Sequence, residues 1–200
     1  MKIQQEVLLN NLKQDVQVIL DCVEAFREEK DALRIQPVPG QWSITQILEH
    51  LNSYGRYYLP AIDRALCSSP SRRDAWFNSG FLGNYFTNLI RPANVFEVKN
   101  KMKTQKAHDP ENNLDPDKVL DEFVQQQQQL LQLLDHAAAK SLNDIKVPIS
   151  VSKVVKLKLG DTFRFLIGHE QRHMIQARNA LHTIGLSTGK FPAILQATPQ

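Results

Sequence analysis

Cysteine is scarce in this chain. Cys22 and Cys67 are the only two in 200 residues, without CxxC spacing and each inside a segment that looks helical. They read as core or surface thiols, and no disulfide framework or redox pair is expected. Glycine and proline are few as well, 8 and 10, which sets aside collagenous and disordered classes. An excess of one charge is also missing. The 24 Lys and Arg against 21 Asp and Glu leave +3, short of the clustered basic surface that tracks phosphates, so nucleic acid is not an expected partner. No apolar run approaches the ~20 residues of a membrane span. The opening residues MKIQQEVLLNNLKQD turn polar too soon for a signal peptide. The expectation is a globular protein with no membrane partner and a cytoplasmic address.

What the chain does contain is helical periodicity. Ile3, Val7, Leu8, Leu12, Val16, Ile19, Leu20, Val23 and Phe26 recur at steps of three, four and one, predicting a first helix that ends near Lys30. Pro37-Val38-Pro39-Gly40 cannot continue it. Ser43-Ile44-Thr45-Gln46 then forms an S-x-x-Q capping box, with Trp42 and Ile47 placed as a hydrophobic staple, and opens a second helix that runs to about Cys67. Residues 68–113 form a long connection rich in aromatics, which predicts that it packs over the body of the domain. Within it Phe81, Leu82, Tyr85, Phe86, Leu89 and Ile90 fit a short amphipathic helix, and residues 99–106 read as a basic, solvated stretch.

Asp115-Pro116-Asp117 marks a third long helix, reaching about Lys140. The run Gln125 to Gln129 inside it reads as a solvated face. Ile145, Val147, Ile149 and Val151 alternate as a short extended piece. Gly160-Asp161-Thr162 opens a last long helix that closes at Gly185. No polar linker separates two independently amphipathic halves. The expected architecture is therefore all-α: a single four-helix bundle over residues 1–185, with a long crossover between helices two and three and a tail at 186–200.

Helical phase sorts the six histidines. His169 and His173 lie about 40° apart on one helix face, the spacing for two imidazoles on one metal ion, although two solvated histidines share that spacing by chance. Gln176 continues their stripe. His50 sits on helix two among Ile47, Leu48, Leu51 and Tyr54, at or near the core, where a buried imidazole wants a partner. His182 falls about 180° from His173 and cannot join them, and His108 and His136 stand in polar surroundings without a partner. Three neutral imidazoles would leave coordination positions open, as catalytic sites do.

Two motif matches fail. His169-Glu170-Gln171-Arg172-His173 spells H-E-x-x-H, but no Asp or Glu follows Glu170 to act as a zincin's third ligand, and Gln176 and Asn179 break the extended metzincin pattern. Glu170 to His173 spells E-x-x-H, but di-iron bundles need that motif twice.

Gly40-Gln41-Trp42-Ser43 opening a helix that bears His50, a long crossover, and His169-x-x-x-His173-x-x-Gln176 on the last helix together resemble the DinB/YfiT superfamily over nearly the whole chain. The resemblance implies an up-down-down-up bundle that holds a divalent metal through His50, His169 and His173, often as a homodimer. Characterised relatives include bacillithiol S-transferases and mycothiol-dependent maleylpyruvate isomerase. It thus implies a transferase using a low-molecular-weight thiol on a small-molecule substrate. A metal-dependent hydrolase and a non-catalytic, stress-related metal-binding dimer stay open beside it. Imidazole suits Zn, Ni, Cu and Fe alike; the expected ion is Zn or Ni first, with Fe or Mn open beside them. Tyr54 and Tyr57 stand where they could line the pocket mouth, and Arg172, with the lysines between Lys153 and Lys158, could meet an anionic cofactor; core, rim and solvated-face roles are the plainer accounts.

Overall fold

The long helices begin where local chemistry interrupts the chain before them. The computed structural model describes residues 1–92 and 104–189 with Pro192 and Ile194, and of Lys153 the backbone alone. In it α1 spans Gln5–Phe26, α2 Ile44–Ser68, α3 Phe81–Ile90, α4 Pro116–Ala137 and α5 Leu159–Thr183. Ser43 caps α2 through a complete capping box: Ser43 Oγ accepts from the Gln46 N–H at 3.3 Å, and the Gln46 side chain accepts from the Ser43 N–H at 3.0 Å. Asp115 caps α4 by accepting from the Asp117 N–H at 3.1 Å, with Pro116 in the first turn. α5 ends in a Schellman turn. The Leu186 N–H reaches the Leu181 carbonyl at 3.1 Å and the Gly185 N–H reaches His182 at 3.0 Å, with Gly185 at φ 78°, a conformation that costs glycine nothing.

Helices α1, α2, α4 and α5 pack around a shared apolar core. Val16 and Ile19 of α1, Ile47 and Ile62 of α2, Leu120 and Leu130 of α4, and Phe163 and Ile175 of α5 are all removed from solvent, each contributing about 1.5–3 kcal/mol of burial. Surface pairs such as Arg56 with Glu49 and Glu122 decorate these contacts and stabilise little. Among the described residues no helix is long and apolar enough to cross a membrane.

The chain is mostly helical, and it adds two small sheets that the all-α expectation leaves out. β1 (Lys2–Gln4) pairs antiparallel with β2 (Trp76–Asn78), setting Ile3 opposite Phe77. Ile3 therefore belongs to a strand, not to the first helix, and Val7 is exposed. β3 (Lys146–Ile149) and β4 (Ser152–Lys158) make a hairpin with an irregularity at Pro148/Ile149, where the alternation at 145–151 predicts extended chain.

In the crossover, Phe77 is fully buried, but Phe81 and Tyr85 are exposed. α3 buries its small side, Gly83, Thr87 and Ile90, against α5. The reason is Asp161, which accepts from Ser79 Oγ at 2.5 Å, from the Gly80 N–H at 2.8 Å and from Arg164 Nη1 at 2.9 Å. A Cβ at Gly83 would fall 2.3 Å from Asp161 Cγ, so this carboxylate selects the glycine face of α3. Residues 93–103, which include most of the predicted basic stretch, and residues 190, 191, 193 and 195–200 of the predicted tail lie outside the described residues.

The solvated face expected for the glutamine run holds for Gln125, Gln128 and Gln129, which are exposed, and is corrected for the two between them. Gln126 and Gln127 are buried, because they occupy the apolar stripe between Phe123 and Leu130. Gln126 Nε2 donates to the Asn52 carbonyl at 3.2 Å, linking α4 to α2.

Candidate metal centre

The second turn of α2 and the middle of α5 bring three imidazoles together. His50 Nε2 lies 3.3 Å from His169 Nε2, and His173 Nε2 lies 3.0 Å from the same atom. The one-turn spacing of His169 and His173 produces the second contact, and the packing of α2 on α5 produces the first. All three rings are buried.

Two of the rings have their protonation pattern set by neighbours. His50 Nδ1 faces the His108 carbonyl at 2.8 Å, which can only accept, so Nδ1 carries the proton and Nε2 a lone pair. His173 Nδ1 faces Gln176 Oε1 at 2.9 Å and is held the same way. Lone pairs of both rings thus point at His169 Nε2. Burial pushes His50 down to about 4. Burial, and then the neighbouring imidazoles, hold His169 and His173 well below the ordinary range, with the charge of Arg172 acting in the same direction. The cluster is neutral at neutral pH, and with the proton of His169 on its Nδ1 it offers three converging Nε2 lone pairs to a cation. Nitrogens on a tetrahedral zinc, at about 2.0–2.1 Å from the metal, stand about 3.3 Å apart. The donor set therefore fits a divalent ion.

Around the rings stand residues of both expected and unexpected kinds. Tyr54 meets His169 edge-on with centroids 4.5 Å apart and His50 at 5.1 Å. Trp42 lies 4.9 Å from His50, and Phe165 stacks on His169 at 6.1 Å. Arg172 is buried in α5. Tyr57 is not brought to the histidines: its hydroxyl donates to the Ile149 carbonyl at 3.0 Å, while the Tyr58 hydroxyl accepts from the Ser150 N–H at 3.2 Å.

His108, expected to have no partner, is corrected. It is buried and stacks on Tyr54 with centroids 3.9 Å apart. Its Nδ1 lies 2.9 Å from Ser53 Oγ. The one hydroxyl proton of Ser53 goes to the His50 carbonyl at 2.6 Å, so the His108 Nδ1–H donates to Ser53. No periodicity signals this residue, because it lies in a single 3-10 turn, Lys106–His108, of the crossover. Glu170 of the H-E-x-x-H motif stands apart from the three histidine donors. Its Oε1 accepts from Gln127 Nε2 at 2.9 Å, and burial raises its carboxyl to about 8. It is a neutral acid at neutral pH.

Beside the imidazoles opens a cavity of about 150 Å³. Tyr54 and Phe165 separate it from His169, and Phe86, Ile90, Ile149 and Leu157 continue its apolar wall.

Comparison with known proteins adds one match. No curated protein and no solved structure matches the chain. A family model described as the DinB superfamily matches residues 11–177, a span that runs from α1 into α5 and contains all three clustered histidines. On that match the chain belongs to the DinB superfamily.

Proposed function

We propose that this protein is a metal-dependent transferase in which His50, His169 and His173 hold a divalent ion, Zn or Ni first, and a low-molecular-weight thiol is the nucleophile. The helices would form the up-down-down-up bundle that the resemblance implies. The observation that carries the reading is the convergence of three neutral Nε2 atoms at 3.0 and 3.3 Å, with two of the rings locked by hydrogen bonds at Nδ1. Neutral donors leave the charge of an ion uncompensated, and a bound divalent ion of this kind supplies Lewis acidity that lowers the pKa of a thiol or water.

The chain's own residues favour the thiol. The His108 carbonyl and Gln176 keep the Nδ1 protons in place and the Nε2 lone pairs inward. Hydrolysis would call for a general base, and the nearest motif carboxyl, Glu170, is occupied by Gln127 and held protonated. The apolar wall of Phe86, Ile90, Leu157 and Phe165 suits an apolar electrophile.

The test combines elemental analysis with turnover. Protein expressed with added metal is expected to carry one divalent ion per chain and to consume a cellular thiol in the presence of a model electrophile, and His173→Ala is expected to do neither. Stoichiometric metal with electrophile hydrolysis that needs no thiol would overturn the transferase reading, and absence of metal would overturn the site.

A further inference from the structure

The C-terminal end of α2 and the last turn of α4 create a second group of metal-ligating side chains, remote in chemistry from the first. Asp63 and Cys67 are one turn apart on α2, and Cys67 Sγ lies 3.7 Å from Asp63 Oδ1. His136, in the last turn of α4, completes the group. One carboxylate oxygen, the thiol sulfur and one imidazole nitrogen all lie within 4.8 Å of one another. The close packing of α2 on α4 brings them together, although Cys67 and His136 are 69 positions apart (136 − 67).

We propose that Asp63, Cys67 and His136 form a second, solvent-accessible site for a borderline-soft divalent cation of the zinc class. Sulfur, nitrogen and oxygen together are donors that zinc accepts at once, with the remaining position left to water. Binding replaces the Cys67 S–H proton by the metal and releases that proton to solvent. The resulting thiolate and the Asp63 carboxylate balance the two charges of the ion, whereas the buried histidines balance none. All three residues are exposed, so the ion enters directly from solvent and no charge is buried without a partner. Occupancy would fasten the end of α2 to the end of α4. This assignment does not depend on the three-histidine site being occupied.

The thiol makes the two sites separable by spectroscopy. Reduced, full-length protein titrated with Co²⁺ is expected to develop a near-ultraviolet thiolate-to-cobalt charge-transfer band that saturates at one equivalent per chain. His50→Ala should leave the band intact, since the buried site contains no sulfur. Cys67→Ser should abolish it. His136→Ala should weaken the cobalt affinity of the band by at least about tenfold, because loss of even an outer-shell partner costs ~10–100-fold. Unchanged far-ultraviolet circular dichroism checks the fold of each variant. The proposal fails if reduced protein gives no band at saturating cobalt, if the band survives Cys67→Ser, or if His136→Ala and Asp63→Ala both bind as the parent does, which would mark a simple thiol adduct.

Discussion

His50 donates its Nδ1 proton to the main-chain oxygen of His108, 2.8 Å away and 58 positions along the chain. A loop thereby decides which nitrogen of a helix residue faces the other two imidazoles. The loop is itself held by the His108 ring, which stacks on Tyr54 and donates to Ser53.

Removing that ring should loosen the support without deleting the acceptor. His108→Ala is expected to lower metal affinity by ~10–100-fold, the usual effect of losing a group that orients a ligand. His173→Ala should lose the ion altogether while keeping its helical circular dichroism, since apolar stripes hold the helices. Competition against a chromophoric chelator distinguishes the two, and parent-like affinity in His108→Ala would show that the loop does not orient His50.

Acid should act on the metal-free protein through the same rings. The folded-state value of His50 is about 4 against an ordinary 6.5, and His169 and His173 shift in the same direction. Between those values the unfolded chain binds protons that the folded chain refuses, so the stability these rings contribute is fully present above about 6.5 and is lost as the pH drops toward about 4. Urea midpoints of chelator-treated protein across that window check the sign, and His50→Ala should flatten the slope.

Glu170 works in the opposite sense. With its carboxyl raised from 4.5 to about 8, the folded chain keeps a proton that the unfolded chain has released, and stability declines as pH rises through that interval. Glu170→Gln retains an acceptor for Gln127 and has no charge to bury. It should unfold at higher urea than the parent at about pH 8 and converge with it below about 4.5. Gln127→Ala should cost about 1–3 kcal/mol by leaving the carboxyl unpartnered.

The docking of α3 rests on Asp161. Asp161→Ala leaves the Arg164 guanidinium buried without its counter-ion, at a cost of about 3–5 kcal/mol. Gly83→Ala drives a methyl into the Asp161 side chain and should cost about 1–3 kcal/mol. Thermal melts of both variants measure the effect. If Gly83→Ala melts with the parent, α3 is not seated on α5 as described.

The histidine pair and the helix starts were legible because both follow local rules. A 40° phase difference puts His169 beside His173, and Ser43 with Gln46 forms its box wherever the rest of the chain goes. Gln127 was legible in principle too, since it lies four residues after Phe123 and three before Leu130, but its polarity concealed its phase. His108 and the strand at Lys2–Gln4 were not. Each depends on a partner distant in sequence, Ser53 with Tyr54 in one case and Trp76–Asn78 in the other, and neither leaves a periodic trace. The face of α3 misleads for a physical reason: a buried carboxylate that accepts three hydrogen bonds chooses glycine over phenylalanine as its neighbour.

Tyr57 and Tyr58 tie the β3–β4 turn to α2 through the Ile149 carbonyl and the Ser150 N–H, and Ile149, Ser150, Val151 and Leu157 of that hairpin border the cavity. Two phenols thus divide the molecule's labour. The helices carry the imidazoles, while a short hairpin, pinned at its tip and built apart from them, shapes the space next door. Changes at Val151 or Leu157 would reshape the wall of that cavity while leaving in place the packing of α2 on α5 that gathers the three histidines.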